Sequence, residues 1–132
     1  MQVRDIMTTG VAAFAPWSTI AQIACAMRDL DIGSVPLVEG DQLVGVLTSH
    51  DIVKRVVADG LDPNQERADL HMTADPLVAA PDWTIEQARE AMLAAGVRRM
   101  PVVEGRRLVG YLSHSDLARP LERAVGADSP AR

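Results

Sequence analysis

Several things this chain has little of narrow what it can be. Cysteine occurs once in 132 residues, at Cys25, so no intramolecular disulfide can form and the pattern suits a reduced, cytoplasmic protein. Aromatic residues are 3% of the chain, too few for a base-stacking platform. Basic residues are outnumbered, 13 Lys and Arg against 18 Asp and Glu. A duplex-binding protein needs a basic face, so no nucleic-acid partner is expected. No apolar run approaches membrane-spanning length, and Met1-Gln2-Val3-Arg4-Asp5 lacks the apolar core of a signal peptide. No membrane association is therefore expected. Glycine-rich phosphate loops are absent. The three histidines, His50, His71 and His114, lack the close spacing of metal ligands, and no metal is expected.

What is present is a repeat. Sliding the chain by 65 positions pairs Met7-Thr8 with Met72-Thr73, Pro16 with Pro81, Thr19-Ile20 with Thr84-Ile85, Met27 with Met92, Pro36 with Pro101 and Glu39-Gly40 with Glu104-Gly105. Leu43-Val44-Gly45-Val46-Leu47-Thr48-Ser49-His50-Asp51 answers to Leu108-Val109-Gly110-Tyr111-Leu112-Ser113-His114-Ser115-Asp116. No gap is needed, and 18 of the 45 positions from Met7 to Asp51 are identical to their partners. This marks a duplicated supersecondary unit. The boundaries read as 1–65 for the first repeat with its linker, 66–123 for the second, and 124–132 as a disordered tail with nothing to bury. Each half is too small to close a good core alone, so the two should pack together. Charge is shared unevenly: residues 1–65 carry 4 basic and 8 acidic side chains, residues 66–132 carry 9 and 10.

Patterning within a repeat predicts strand, helix, strand, strand, helix. Val3–Met7 reads as a helical lead-in, and Val11–Phe14 and Leu77–Ala79 as first strands. Thr19-Ile20-Ala21-Gln22 and Thr84-Ile85-Glu86-Gln87 have the form of capping boxes. Apolar stripes at helical spacing follow, Ile20, Ile23, Met27 and Leu30 in one copy and Ile85, Ala88, Met92 and Ala95 in the other. Gly33 is read as ending the first helix. Ser34–Val38 and Gln42–Leu47 then form a hairpin, as do Arg99–Val103 and Arg107–Ser113. Pro36 implies an edge or an interrupted ladder. Helices are expected from Ser49 to Asp59 and from His114 to a stop or kink at Pro120, with Gly60–Asn64 as the linker.

The order of elements, the Met-Thr lead-in, the Val-Pro-Leu-Val strand and the Leu-Val-Gly-x-Leu-Thr/Ser-x-x-Asp ending resemble a tandem pair of CBS motifs, a Bateman module, over residues 3 to 122. The likeness extends to small stand-alone actinobacterial two-CBS proteins. It implies an α/β fold of two β-α-β-β-α repeats packed with pseudo-twofold symmetry, two clefts between them, and a homodimer formed through the helices. It also implies a regulatory, energy-sensing role: an adenosine-containing ligand, AMP, ADP, ATP or S-adenosylmethionine, binds in the clefts and alters the relation of the repeats. An effector protein is then a possible partner. The alternative is a scaffold dimer with empty or vestigial clefts.

Thr48-x-x-Asp51 and Ser113-x-x-Asp116 have two readings. Locally each is a capping box, hydroxyl on a first-turn amide and carboxylate at the positive helix end. By the resemblance, the carboxylate takes both ribose hydroxyls while the hydroxyl and exposed amides meet phosphate; both roles can coexist. The resemblance also puts the purine between Ala12-Ala13 or Leu77-Val78 and the residue before the strand proline, Val35 or Met100, positions that read equally well as core. Gly33-Ser34 becomes Arg98-Arg99 in the second copy, and Arg99, at a strand start, is the candidate phosphate contact. Arg106 and Arg107 flank a hairpin tip and read as solvated surface. His50, His114 and Ser115 stand at helix starts, as phosphate donors or as plain exposed residues.

Ser49-His50-Asp51 holds the letters of a hydrolase triad, but neighbours on a helix point in different directions and cannot align nucleophile, base and orienter. No catalysis is expected. Cys25 answers to Glu90 and reads as a small, at least half-buried side chain. Trp17 and Trp83 are one register apart and read either as helix-end packing or as an exposed self-association surface.

Overall fold

Both expected capping boxes close. Thr19 Oγ1 accepts from the Gln22 amide at 3.1 Å while the Thr19 amide donates to Gln22 Oε1 at 3.0 Å, and Thr84 and Gln87 repeat the exchange at 3.1 and 2.8 Å. Two orphan donors are satisfied at each start. From these caps run α1 (Ile20–Leu30) and α3 (Ile85–Ala95). In the computed structural model, which describes residues 1–118, the two helices belong to different units. One unit gathers Ala12–Pro76 with Arg106–Leu108; the other gathers Met1–Val11, Leu77–Gly105 and the described residues from Val109 onward.

In the first of these, β1 (Ser34–Glu39) and β2 (Gln42–Thr48) form an antiparallel hairpin with a register shift at Leu37/Val38. Pro36 lacks an amide, and on the open side of β1 only single-residue pairing follows: the Phe14 amide donates to Pro36 O, and the Val38 amide to Phe14 O. The expected strand Val11–Phe14 is thus one bridge at Phe14. After β2 comes α2 (Ser49–Ile52), which continues as a π-helical turn, Val53–Val57. Ile20, Ile23, Val35, Leu37, Leu47, Val56 and Ala68 are fully buried together, each large apolar side chain contributing about 1.5–3 kcal/mol. Leu30, expected in that stripe, is exposed.

The other unit holds α3, β4 (Arg99–Glu104) and β5 (Arg107–Ser113), the last from Val109 on. The two-residue turn between β4 and β5 makes them an antiparallel hairpin. Residues 114–118 are helical, and Pro120 and the tail lie outside the described residues. Ala79 bridges Val102, again one residue where a strand Leu77–Ala79 was expected. Ala88, Met92, Met100, Val102 and Leu112 pack with Val3 and Ile6, while Ala95 is exposed.

Val3 and Ala68 are repeat partners, yet each lies in the core of the unit that holds the other repeat's helix and hairpin. The lead-ins are exchanged. Val3 and Arg4 donate to Trp83 O and Pro81 O, both at 2.9 Å; Ala68 and Asp69 donate to Ser18 O and Pro16 O at 2.8 and 2.9 Å. Thr8 pairs with Tyr111, and the short strand β3 (Thr73–Ala74) pairs with Val46 and Gly45 of β2. The repeated glycine explains the fit. A Cβ on Gly45 would lie 2.9 Å from Thr73 O and against the Met72 sulfur, and one on Gly110 would lie 3.0 Å from Thr8 O and against Met7.

Two helix ends also differ between the repeats. α3 ends at Gly96 in the left-handed conformation, φ 67°, but α1 ends at Asp31, φ 54°, and not at Gly33 as expected. Asp is one of the few side chains that tolerates this conformation.

Candidate ligand site

The thirteen candidate positions divide by unit. Ala12, Ala13, Val35, Thr48, His50 and Asp51 share one, and Leu77, Val78, Arg99, Met100, Ser113, Ser115 and Asp116 share the other. In each unit the strand before the proline runs beside the start of the helix that carries the carboxylate. The Ser49 amide donates to Gly33 O at 2.9 Å, and its counterpart His114 donates to Arg98 O at 2.8 Å. Arg99 is therefore one residue from a backbone bond to the helix start bearing Asp116.

Both hydroxyl and carboxylate pairs form reciprocal caps. Thr48 Oγ1 accepts from the Asp51 amide and Asp51 Oδ2 from the Thr48 amide, each at 3.0 Å. Asp116 Oδ2 accepts from the Ser113 amide at 2.9 Å, and the Asp116 amide donates to Ser113 Oγ at 3.1 Å. Ser115 Oγ lies 3.0 Å from Ser113 Oγ. The cap uses one carboxylate oxygen, and a carboxylate has about four lone-pair positions. Burial separates the two sites: Asp116 is 2% exposed and the Asp51 side chain 13%. A buried carboxylate must be well partnered, and Asp116 is the buried charged residue among those described.

Val35 and Met100 are fully buried, so their side chains are core; Ala12 and Val78 are half-buried, and Ala13 and Leu77 exposed. His50, Arg99, His114 and Ser115 are exposed. Arg55, not among the sequence candidates, has its Nε 3.9 Å from Asp51 Oδ1. Its four-residue spacing from Asp51 on an expected helix was the available signal.

Other candidates resolve differently. His71 Nε2 pairs with Glu66 Oε1 at 2.7 Å, and no three His, Cys, Asp or Glu side chains gather as a metal site among the described residues. Cys25 is exposed, not half-buried: its helix position lies off the Ile20, Ile23, Met27 face. Trp17 is 59% exposed, whereas Trp83 packs on the core. Arg28 Nε donates to Asp29 Oδ1 at 2.9 Å, and this bond holds the Asp29 carboxyl below its ordinary value. No described helix is long and apolar enough to cross a membrane.

These two capped helix starts, each beside a proline-containing hairpin and each in a unit completed by the other repeat's lead-in, define a duplicated module. The chain belongs to the CBS domain family, whose model matches residues 3–58 and 68–123. It is 37% identical over 124 residues to hypoxic response protein 1 of Mycobacterium tuberculosis, covering 92% of this chain and 87% of that protein. A crystal structure of Hypoxic Response Protein I with two coordinated zinc ions superposes with a TM-score of 0.83 at 38% identity, covering 90% of this chain and 98% of that one. The CBS domain pair of the protein MJ0100, in complex with 5'-methylthioadenosine and S-adenosyl-L-methionine, superposes with a TM-score of 0.82 at 25% identity, covering 94% and 98%. The protein is thus a CBS domain pair of the regulatory class.

Proposed function

We propose that the protein is a non-catalytic sensor of an adenosine-containing ligand, AMP, ADP, ATP or S-adenosylmethionine. Thr48 and Asp51 receive the ligand in one unit and Ser113 and Asp116 in the other. The observation that carries this reading is the pair of carboxylates fixed by their caps at helix starts, where a ribose diol donates to the carboxylate and first-turn amides face an anion. Arg99 adds positive charge to the second site, and His50 and Ser115 stand at the helix starts as phosphate donors. The backbone beside Ala12, Ala13 and Val35, and beside Leu77, Val78 and Met100, flanks the purine. The adenosyl ligands of the MJ0100 structure support the ligand class. Occupancy is signalled by differential affinity for two arrangements, read by an effector protein or within a homodimer in the cytoplasm.

The test is a thermal-shift series with AMP, ADP, ATP and S-adenosylmethionine on the wild type, Asp51→Asn and Asp116→Asn. Asparagine keeps an acceptor for the cap but removes the charge that a diol needs. Ligand at 100 times its dissociation constant stabilises by about 2.7 kcal/mol, several degrees at this size. A shift lost in one variant identifies the site used. No shift with any ligand on a cooperatively melting wild type replaces this reading with the scaffold dimer.

A further inference from the structure

Arg55 touches two things at once. Its Nε lies 3.9 Å from Asp51 Oδ1, the oxygen that the Thr48 cap does not use. Its Nη1 donates to His71 O at 3.0 Å and approaches Met72 O at 3.5 Å. Those carbonyls lead into β3, which pairs with Gly45 and Val46 of β2, and β2 ends at Thr48. One guanidinium therefore joins the candidate carboxylate to the exchanged lead-in. It sits in the π-helical turn Val53–Val57, where the Ala58 amide bonds to Val53 O and the regular ladder is interrupted.

We propose that Arg55 is a positioning residue that couples occupancy of Asp51 to the order of residues 71–74. Its side chain is 50% exposed, so its attraction to Asp51 is screened and weak. The fork bonds His71 O at 3.0 Å while its Nε stands 3.9 Å from Asp51 Oδ1, beyond hydrogen-bond reach, so closing on the carboxylate would draw the rigid fork away from the main-chain carbonyls. A diol on Asp51 occupies lone pairs that face Nε. The fork then settles on the His71 and Met72 carbonyls, and the lead-in tightens on β2. This competition supplies the differential interaction that any ligand-driven change requires. Sixty-five residues on from Arg55 the sequence has Pro120, which carries no donor side chain.

Hydrogen exchange of the peptide spanning residues 71–75 tests this in the wild type, Arg55→Gln, Asp51→Asn and the double variant. The ligand arm rests on the nucleotide reading above and uses AMP at concentrations saturating the wild type and Arg55→Gln. AMP should slow exchange about threefold in the wild type, the size a half-exposed ion pair supports, and not in Arg55→Gln. Equal slowing in both overturns the proposal. The ligand-free arm is independent of that reading. Asp51→Asn removes the competing charge, so it should slow the same peptide about threefold in the wild-type background and leave the Arg55→Gln background unchanged. No effect of Asp51→Asn, or an equal effect in both backgrounds, overturns the proposal. If AMP changes neither melting nor exchange of the wild type, the nucleotide reading fails and the ligand-free arm alone decides the role of Arg55.

Discussion

Replacing Gly45 by alanine tests whether the repeated glycine exists to admit the exchanged lead-in. The added Cβ would stand 2.9 Å from Thr73 O and 3.0 Å from Met72 Cγ, besides crowding the Met72 sulfur. The methionine can turn aside, but Thr73 O cannot, because Thr73 is held opposite Val46 in the ladder. Overpacking of this kind costs about 1–3 kcal/mol. Against it, alanine restricts the unfolded chain and favours folding by about 0.4–1 kcal/mol. The net expectation is a loss of about 1–2 kcal/mol, a fall in Tm of roughly 3–10 °C at this chain length. Gly33→Ala is the control: its nearest neighbour would be Ser49 Oγ at 3.4 Å and its φ is not positive, so it should melt at or slightly above the wild type. The assay is thermal unfolding by circular dichroism, with hydrogen exchange at residues 72–74 to show that the lead-in is what loosens. A Gly45→Ala protein that melts at or above the wild-type temperature, with that segment still protected, refutes the close-approach argument.

Three further outcomes follow from the local geometry. Asp31→Gly should raise stability by about 0.5–1 kcal/mol, read as a higher urea midpoint, because glycine enters the left-handed conformation without a Cβ penalty; an unchanged or lower midpoint contradicts the cap. Cys25 should react fully with a thiol reagent without denaturant. In the single-tryptophan proteins, Trp17 should be readily quenched by iodide and Trp83 protected, and the reverse order contradicts the packing.

The elements were legible because each is announced by a local rule. Thr-x-x-Gln marked the starts of both long helices, and the hairpins followed from apolar runs about Glu-Gly turns. Where local rules compete, the sequence misled. Gly33 drew the helix end away from Asp31 because glycine is the commoner left-handed residue, although Asp31 aligns with Gly96. Val11–Phe14 and Leu77–Ala79 carry strand-like side chains but pair at one residue each, because strand formation depends on an available edge and not on propensity. The exchange of lead-ins was invisible to any window of a few residues. Its trace was nonetheless present, in a glycine repeated within two apolar strands and a methionine repeated before a threonine. The candidate site was legible as two Thr/Ser-x-x-Asp copies. Arg55 was legible only as the residue one turn after Asp51, since its bond to the lead-in depends on where the His71 and Met72 carbonyls fall in space.

The exchanged lead-ins also bear on how such a chain arises by duplication. A polypeptide with one repeat owns an arm and an acceptor strand, and the arrangement found here matches each arm to the acceptor of the other copy. Two separate copies would achieve it only by swapping arms reciprocally, at the mercy of their concentration. The linker at Gly60–Asn64 makes that bimolecular event internal, at an effective concentration of the order of millimolar. After fusion the two copies became free to diverge, and the histories of Arg55 against Pro120, and of Ser34 against Arg99, are what a swapped pair can accumulate once its partners are no longer required to be identical.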